Sequence, residues 1–176
     1  KVLGAYGDGG AIFTNNKKIY ERIHKIVNHG SKNREKFELV GLNARMDTFQ
    51  SLFLLEKIKN LNNSIKRRRL IAKMYLGFLK TNNIFGYQTN DQNNYSVYAQ
   101  FTLLIKNKFR FTKFLKKNKI PYKIYYKNPI YKNPAYKQNI SLKNTEFVSR
   151  HSISLPINLH DLNVTKLIIK KLNKIK

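Results

Sequence analysis

Lys1 stands directly before Val2-Leu3-Gly4-Ala5-Tyr6 and the turn Gly7-Asp8-Gly9-Gly10, so a primary amine adjoins backbone free to bend tightly or approach a ligand. Such an amine can attack a carbonyl and hold it as a Schiff base. Further along, Arg45 offers a planar guanidinium fork suited to a carboxylate or phosphate, or to an ion pair with Asp47. Asn43 offers an amide donor or a helix-entry cap. His29 ends a helical pattern ahead of a polar loop, where it can line a pocket or pack at the helix terminus. Tyr125 and Tyr126 close a strand-like stretch and give a stacking face with hydroxyls. Metal chemistry finds no support: His24, His29, His151 and His160 lack ligand spacing, and there is no cysteine to assist them. Nor does any Ser/His/Asp arrangement stand out.

The elements that must position these residues follow from periodicity and turn chemistry. Residues 2–6 and 11–14 read as two short strands around the glycine turn. Asn15 or Asn16 can cap a helix carrying Ile19, Ile23 and Ile26 at helical spacing, with Gly30 as its stop. Residues 31–43 are polar and without a convincing period, an ordered loop whose length suggests function. Asp47 can start a second helix with Phe49, Leu52, Phe53, Ile58 and Leu61 on its apolar face. Asn62-Asn63-Ser64 marks a bend or cap before a third helix, whose stripe of Ile65, Ile71, Met74, Tyr75, Phe78 and Leu79 ends at Thr81-Asn82-Asn83. Within it, the run Arg67-Arg68-Arg69 reads as a solvated face. From Ser96 the pattern becomes a small α/β unit. It has strands at residues 97–105, 120–125 and 152–156, helices at 109–118 and 146–150, and a Pro- and Tyr-rich loop at 126–136. A closing helix over residues 161–174 has Asp161 as its cap and Val164, Leu167, Ile168 and Leu172 as its buried face.

Composition is that of a folded chain, because 41% of its residues are hydrophobic and 12% aromatic. Its 176 residues allow one ordinary domain, or the end of a larger domain plus a complete small one. No apolar run approaches the roughly 20 residues of a membrane span, and no signal-peptide pattern opens the chain. The lack of cysteine suits a cytoplasmic protein. A net charge of +26 raises the possibility of nucleic-acid binding, but lysine is spread along the chain together with Asn, Ile and Tyr rather than gathered into a footprint. A compositional drift affecting tolerant surface positions explains that spread better. The rival reading is a basic module for RNA or anionic surfaces, built on the Tyr and Lys alternation of residues 122–137.

Several segments, taken in order, resemble the DegT/DnrJ/StrS family of sugar aminotransferases, which are fold-type-I pyridoxal-phosphate enzymes. They are residues 1–15, Asn28-His29-Gly30-Ser31, Gly41-Leu42-Asn43-Ala44-Arg45-Met46-Asp47-Thr48-Phe49-Gln50, Ser96-Val97-Tyr98-Ala99-Gln100-Phe101, residues 125–136 and residues 152–156. The resemblance covers essentially the whole chain. It implies an α/β fold, the carboxyl-terminal part of a fold-type-I enzyme. Residues 1–61 would end the large cofactor-binding domain, and 62–176 would form a linking helix and the small α/β domain.

The activity implied is transfer of an amino group, usually from glutamate, to a keto group on a nucleotide-linked sugar, for cell-surface polysaccharide biosynthesis. Pyridoxal 5'-phosphate acts as the electron sink. Lys1 matches the catalytic Schiff-base lysine. Asn43 matches the asparagine that reaches the cofactor phosphate of the other subunit, which implies a homodimer with shared active sites. Arg45 matches an arginine near the substrate, Tyr125 and Tyr126 match the aromatic pair that closes over the sugar, and His29 would line the same pocket. Lys127 and Tyr131 stand where members acting on uridine-linked acetamido sugars often have Pro and His. Residues 29–34 and 45–58 suggest the subgroup that aminates a 3-keto uridine-diphospho-acetamido sugar or uronic acid. The family's cofactor cradle lies mostly before its lysine, and neither Asp8 nor Asp47 occupies the pyridinium position. With a first residue other than methionine, this leads to the expectation of a carboxyl-terminal portion, inactive without a missing amino-terminal half. A decayed, non-catalytic fragment is the remaining alternative.

Overall fold

Asn16 starts the first helix: its Oδ1 accepts from the N–H groups of Lys18 and Ile19 at 3.0 and 3.2 Å, satisfying two of the donors that a helix start leaves open. In the computed structural model α1 then runs over Lys17–Val27. His24 and Lys25 fall in its last turn, where cations complement the helix dipole. All residues are described except 34, 81–85, 88–92, 158–160 and 176. The predicted helix end at Thr81-Asn82-Asn83 and His160 lie outside the described residues. The chain divides into two compact units, Leu3–Asn62 together with Lys1, and Asn63–Lys176 together with Val2.

In the first unit α1 is followed by the loop of residues 31–43 and by α2, Thr48–Lys59, and neither helix buries a residue. The strands expected at residues 2–6 and 11–14 do not form. A strand exists only as a partner in a ladder, and none of the described residues offers these segments an edge. The opening segment is fastened instead by side chains of α2. Lys57 Nζ donates to the Gly4 carbonyl, and Gln50 exchanges two hydrogen bonds with the Tyr6 backbone at 2.9 and 2.6 Å. The Tyr6 and Phe53 rings lie 4.6 Å apart, and Phe49 meets Phe53 edge-on at 4.7 Å.

α3, Leu61–Lys80, begins one residue after Asn60, which ends α2. Asn62, Asn63 and Ser64 are therefore not the bend. They fill the first turn of α3, where short polar side chains are best tolerated because backbone N–H groups are still unpaired.

The second unit is built on a three-stranded antiparallel sheet in the order β1-β2-β3, with β1 at Gly86–Tyr87, β2 at Phe101–Leu104 and β3 at Ser152–Leu155. Phe101 faces Leu155 and Leu103 faces Ile153 across β2 and β3. The helices are α4 at Lys108–Lys117, α5 at Lys143–His151 and α6 at Leu162–Leu172, with short 3-10 turns at Ile130–Lys132 and Pro134–Tyr136. One core cluster joins Ile71, Tyr75 and Leu79 of α3, Phe111 and Leu115 of α4, and Ile168 and Leu172 of α6 to the inward residues of β2 and β3. Mixed helix and sheet agrees with the α/β expectation.

Four expectations for this unit are corrected. β2 starts at Phe101 rather than Val97, because Tyr98 adopts φ 45°, which an extended strand cannot contain. Residues 120–125 contribute only the isolated bridge between Lys123 and Ser154. On α6 the buried positions are Thr165, Ile168 and Leu172, while Val164 and Leu167 are exposed. The arginine run is solvated only in part, with Arg67 exposed. Arg68 is buried and donates to the Tyr98 carbonyl at 3.2 Å, while Arg69 donates to the Ser96 carbonyl at 2.9 Å and stacks on the Tyr95 ring.

Candidate functional site

Two stretches of the first unit cross at Gly30 and Gly41. The His29 N–H donates to the Leu42 carbonyl at 3.0 Å, the Leu42 N–H to Ile26 at 2.8 Å and the Ala44 N–H to Val27 at 3.0 Å. The Gly30 carbonyl accepts from both Glu38 and Leu39. His29 and Gly30 both take left-handed backbone angles, φ 61° and 85°, turning the chain sharply out of α1 into the loop. Lys25 clamps the loop from below with an ion pair to Glu38 at 2.5 Å, and this contact holds the Glu38 carboxyl below its ordinary range.

The crossing brings three of the predicted site residues together. Asn43 pairs with Asn28 in an isolated antiparallel bridge, His29 adjoins it, and Arg45 Nη1 donates to Asn28 Oδ1 at 2.8 Å. Asn28 in turn donates from Nδ2 to the Ser31 carbonyl at 3.2 Å. The carboxamide of Asn28 thus orients the guanidinium of Arg45 while tying down the loop. His29, Asn43 and Arg45 are all exposed. Neither alternative considered for Asn43 and Arg45 is what forms. Asp47, not Asn43, occupies the cap position of α2, and Arg45 binds Asn28.

Lys1 is exposed at the start of the segment that Gln50 and Lys57 fasten to α2. Tyr125 and Tyr126 belong to the second unit, with rings 5.6 Å apart in an edge-on arrangement and a cis peptide between them. Tyr125 is 39% and Tyr126 69% exposed, so both rings present faces to solvent. Their backbone is held from α5: Ser149 Oγ lies 3.1 Å from the Tyr126 carbonyl and 2.5 Å from that of Lys127, while Lys108 Nζ donates to the Ser149 carbonyl at 2.8 Å. Burial and the neighbouring Lys127 both push the Lys108 ammonium down.

Sequence reading did not single out Asn28, Gln50, Lys57 or Ser149. Asn28 and Gln50 lie in segments that carry the family resemblance. Gln50, Lys57 and Ser149 act on backbone groups distant in sequence, a role that no local pattern shows.

A family model described as the DegT/DnrJ/EryC1/StrS aminotransferase family matches residues 1–170. The chain belongs to this family. Among curated relatives of this aminotransferase-family chain is the UDP-2-acetamido-2-deoxy-3-oxo-D-glucuronate aminotransferase of Pseudomonas aeruginosa. It is 39% identical over 130 residues, which make up 74% of this chain and 36% of that protein. A pleiotropic regulatory protein of Geobacillus stearothermophilus is 30% identical over 89% of this chain and 44% of its own length. Among solved structures, S. venezuelae DesV in complex with a ketimine intermediate superposes with a TM-score of 0.93 at 27% identity, over 99% of this chain and 48% of that one. An aminotransferase of the same family from Brucella abortus gives 0.90 at 29% identity, over 98% and 48%. The family member described here thus spans less than half the length of each of these relatives.

Proposed function

We propose that this chain is the lysine-bearing portion of a pyridoxal-phosphate-dependent aminotransferase that aminates a uridine-diphospho-acetamido-3-keto sugar or uronate, with glutamate as donor. The observation that carries the reading is the locked crossing at Gly30 and Gly41. It gathers His29, Asn43 and Arg45 in a chain whose family match extends over residues 1–170. The choice of sugar is supported by the 39% identity to a protein named for a uridine-linked 3-oxo-glucuronate.

The residues present suit pyridoxal phosphate in part: an amine at Lys1 for its aldehyde and an amide at Asn43 for its phosphate. Asp8 lies in the glycine turn and Asp47 at the start of α2, so neither is assigned to the ring nitrogen. When bound, the cofactor supplies an electron sink for the substrate carbon. Lys1 Nζ would carry the proton between that carbon and the cofactor, acting as general base and then as general acid. Arg45, steadied by Asn28, has further N–H groups with which to hold a carboxylate or phosphate of the substrate. Tyr125 and Tyr126, set edge to face in the second unit, would offer a sugar ring surfaces edged with hydroxyls.

The chain spans less than half of its relatives, and the family reading assigns the complete site to a homodimer that also contains an amino-terminal half, in a cytoplasmic setting. Among the described residues, no helix is long and apolar enough to cross a membrane. The chain alone is expected to show no useful transaminase activity. Amino transfer from glutamate to a keto-sugar nucleotide, measured with the purified chain, tests this, and robust turnover would overturn it. Borohydride reduction in the presence of pyridoxal phosphate, followed by peptide mapping, tests the lysine. Label at Lys1 Nζ supports the assignment, and label spread over the other lysines removes it.

A further inference from the structure

The second unit carries a cleft of about 310 Å3 whose walls include Arg68, Gln100, Tyr122, Lys123, Tyr125 and Ser154. Its lining holds two cations, Arg68 and Lys123, and no carboxylate. Arg68 is only 8% exposed. A guanidinium has five N–H donors, and among the described residues the only hydrogen-bond partner of Arg68 is the Tyr98 carbonyl, 3.2 Å from Nη1. Its Nε is buried and has no hydrogen-bond partner among the described residues. Burial depresses its pKa, and no carboxylate among the described residues offsets this.

Taking a guanidinium out of water without a counter-charge is costly, and buried arginines ordinarily meet a carboxylate. Support of the left-handed turn at Tyr98 explains one N–H and needs no charge. The remaining donors and the charge itself call for an acceptor, and the open side of Arg68 is the cleft. Lys123 adds a second positive charge at the cleft wall, and Tyr122 and Tyr125 give an apolar surface beside it.

We propose that this cleft is an oxyanion-binding site, taking a small organic molecule by its carboxylate or phosphate through Arg68 and Lys123, with the body of the ligand against Tyr122 and Tyr125. Neither the geometry nor the test depends on amino transfer.

A chain of net charge +26 attracts anions over its whole surface, so the readout must resolve the site. The isotopically labelled full chain is titrated with inorganic phosphate and, separately, with glutarate at fixed ionic strength. The Arg68 side-chain N–H signals and the backbone amides of Ala99, Gln100 and Ser154 are followed by NMR. Saturable shifts at these positions are expected. The tighter probe tells whether a phosphate or a carboxylate group is the natural handle. Arg68→Lys keeps the charge but loses the fork and should bind about tenfold more weakly. Because Arg68 also supports Tyr98, a second variant is needed. Ala99→Phe alters an exposed wall position, fills the cleft without entering the core, and should abolish the shifts. The proposal is overturned if neither probe saturates, if the shifts spread over the surface lysines, or if Ala99→Phe leaves binding unchanged.

Discussion

Gly30 and Gly41 pass each other with no room for a side chain on either. A Cβ on Gly41 would lie 2.1 Å from the Gly30 nitrogen, and one on Gly30 would lie 1.7 Å from the Leu39 carbonyl oxygen. The obstacles are backbone atoms, which cannot swing aside as a side-chain end can. Gly41→Ala should therefore force the crossing open and cost about 3 kcal/mol or more if the loop is to stay in place. Hydrogen exchange would show it as lost protection at the Leu42 and Ala44 amides, with the core amides of the second unit unchanged.

Asn28 joins the crossing to Arg45 through a single carboxamide. Asn28→Ala removes both bonds at once and should lower stability by about 1–2 kcal/mol in chemical denaturation. Asn28→Asp should retain the bond to Arg45, as a charge-assisted one, and lose only the donor to Ser31. It should therefore fall between the wild type and the alanine variant.

Ser149 secures the carbonyls of Tyr126 and Lys127 from one hydroxyl. Ser149→Ala should cost about 1 kcal/mol and broaden the ring signals of Tyr125 and Tyr126 in NMR spectra. Ser149→Thr keeps the hydroxyl and should preserve the sharp signals.

Glu146 gathers the Tyr131 hydroxyl at 2.8 Å, Lys132 at 3.2 Å and Arg150 at 3.4 Å. The hydrogen bond from Tyr131, followed by that from Lys132, holds its carboxyl below the ordinary value of 4.5. A carboxyl lowered in the folded state binds fewer protons there than in the unfolded state. Its contribution is thus complete above pH 4.5 and disappears as pH falls through the folded-state value. Melting curves between neutral pH and pH 3 should show a steeper acid loss for the wild type than for Glu146→Gln.

The dispersed lysines should give only weak, nonspecific attraction to RNA. Titration at about 50 and 200 mM salt should find affinities no tighter than about 1 μM at the higher salt. Submicromolar binding there would favour the rival reading as a nucleic-acid module.

Local signals in the sequence translated directly into structure. Asn16 caps α1, Asp161 caps α6 through the Asn163 N–H at 2.8 Å, and the Ile71, Tyr75, Phe78 and Leu79 stripe enters the core. Each of these depends on residues within a turn or two of helix. What escaped depends on distant partners. Arg68 looks solvated because its acceptor, Tyr98, is 30 positions away. On α6, Ile168 and Leu172 are buried as expected, but Thr165 is buried while Val164 and Leu167, to which apolar content pointed, are exposed. At the candidate site the proposed reactive side chains are named from their type and order in the sequence. Their supports are not, since Gln50 reaches Tyr6 across 44 positions and Lys57 reaches Gly4 across 53.

β3 alternates Ser152, Ile153, Ser154 and Leu155, and all four are buried. The pleat sends successive side chains to opposite faces, so Ile153 serves the core, Ser154 meets Thr102 at 2.9 Å and reaches the cleft, and Leu155 belongs to the core and borders the cleft as well. The strand thereby separates two selective pressures at the neighbouring positions Ile153 and Ser154. A lineage could exchange its small hydroxyl positions to suit a different occupant while the alternate positions keep the domain folded, and specificity could drift without a detour through unstable intermediates.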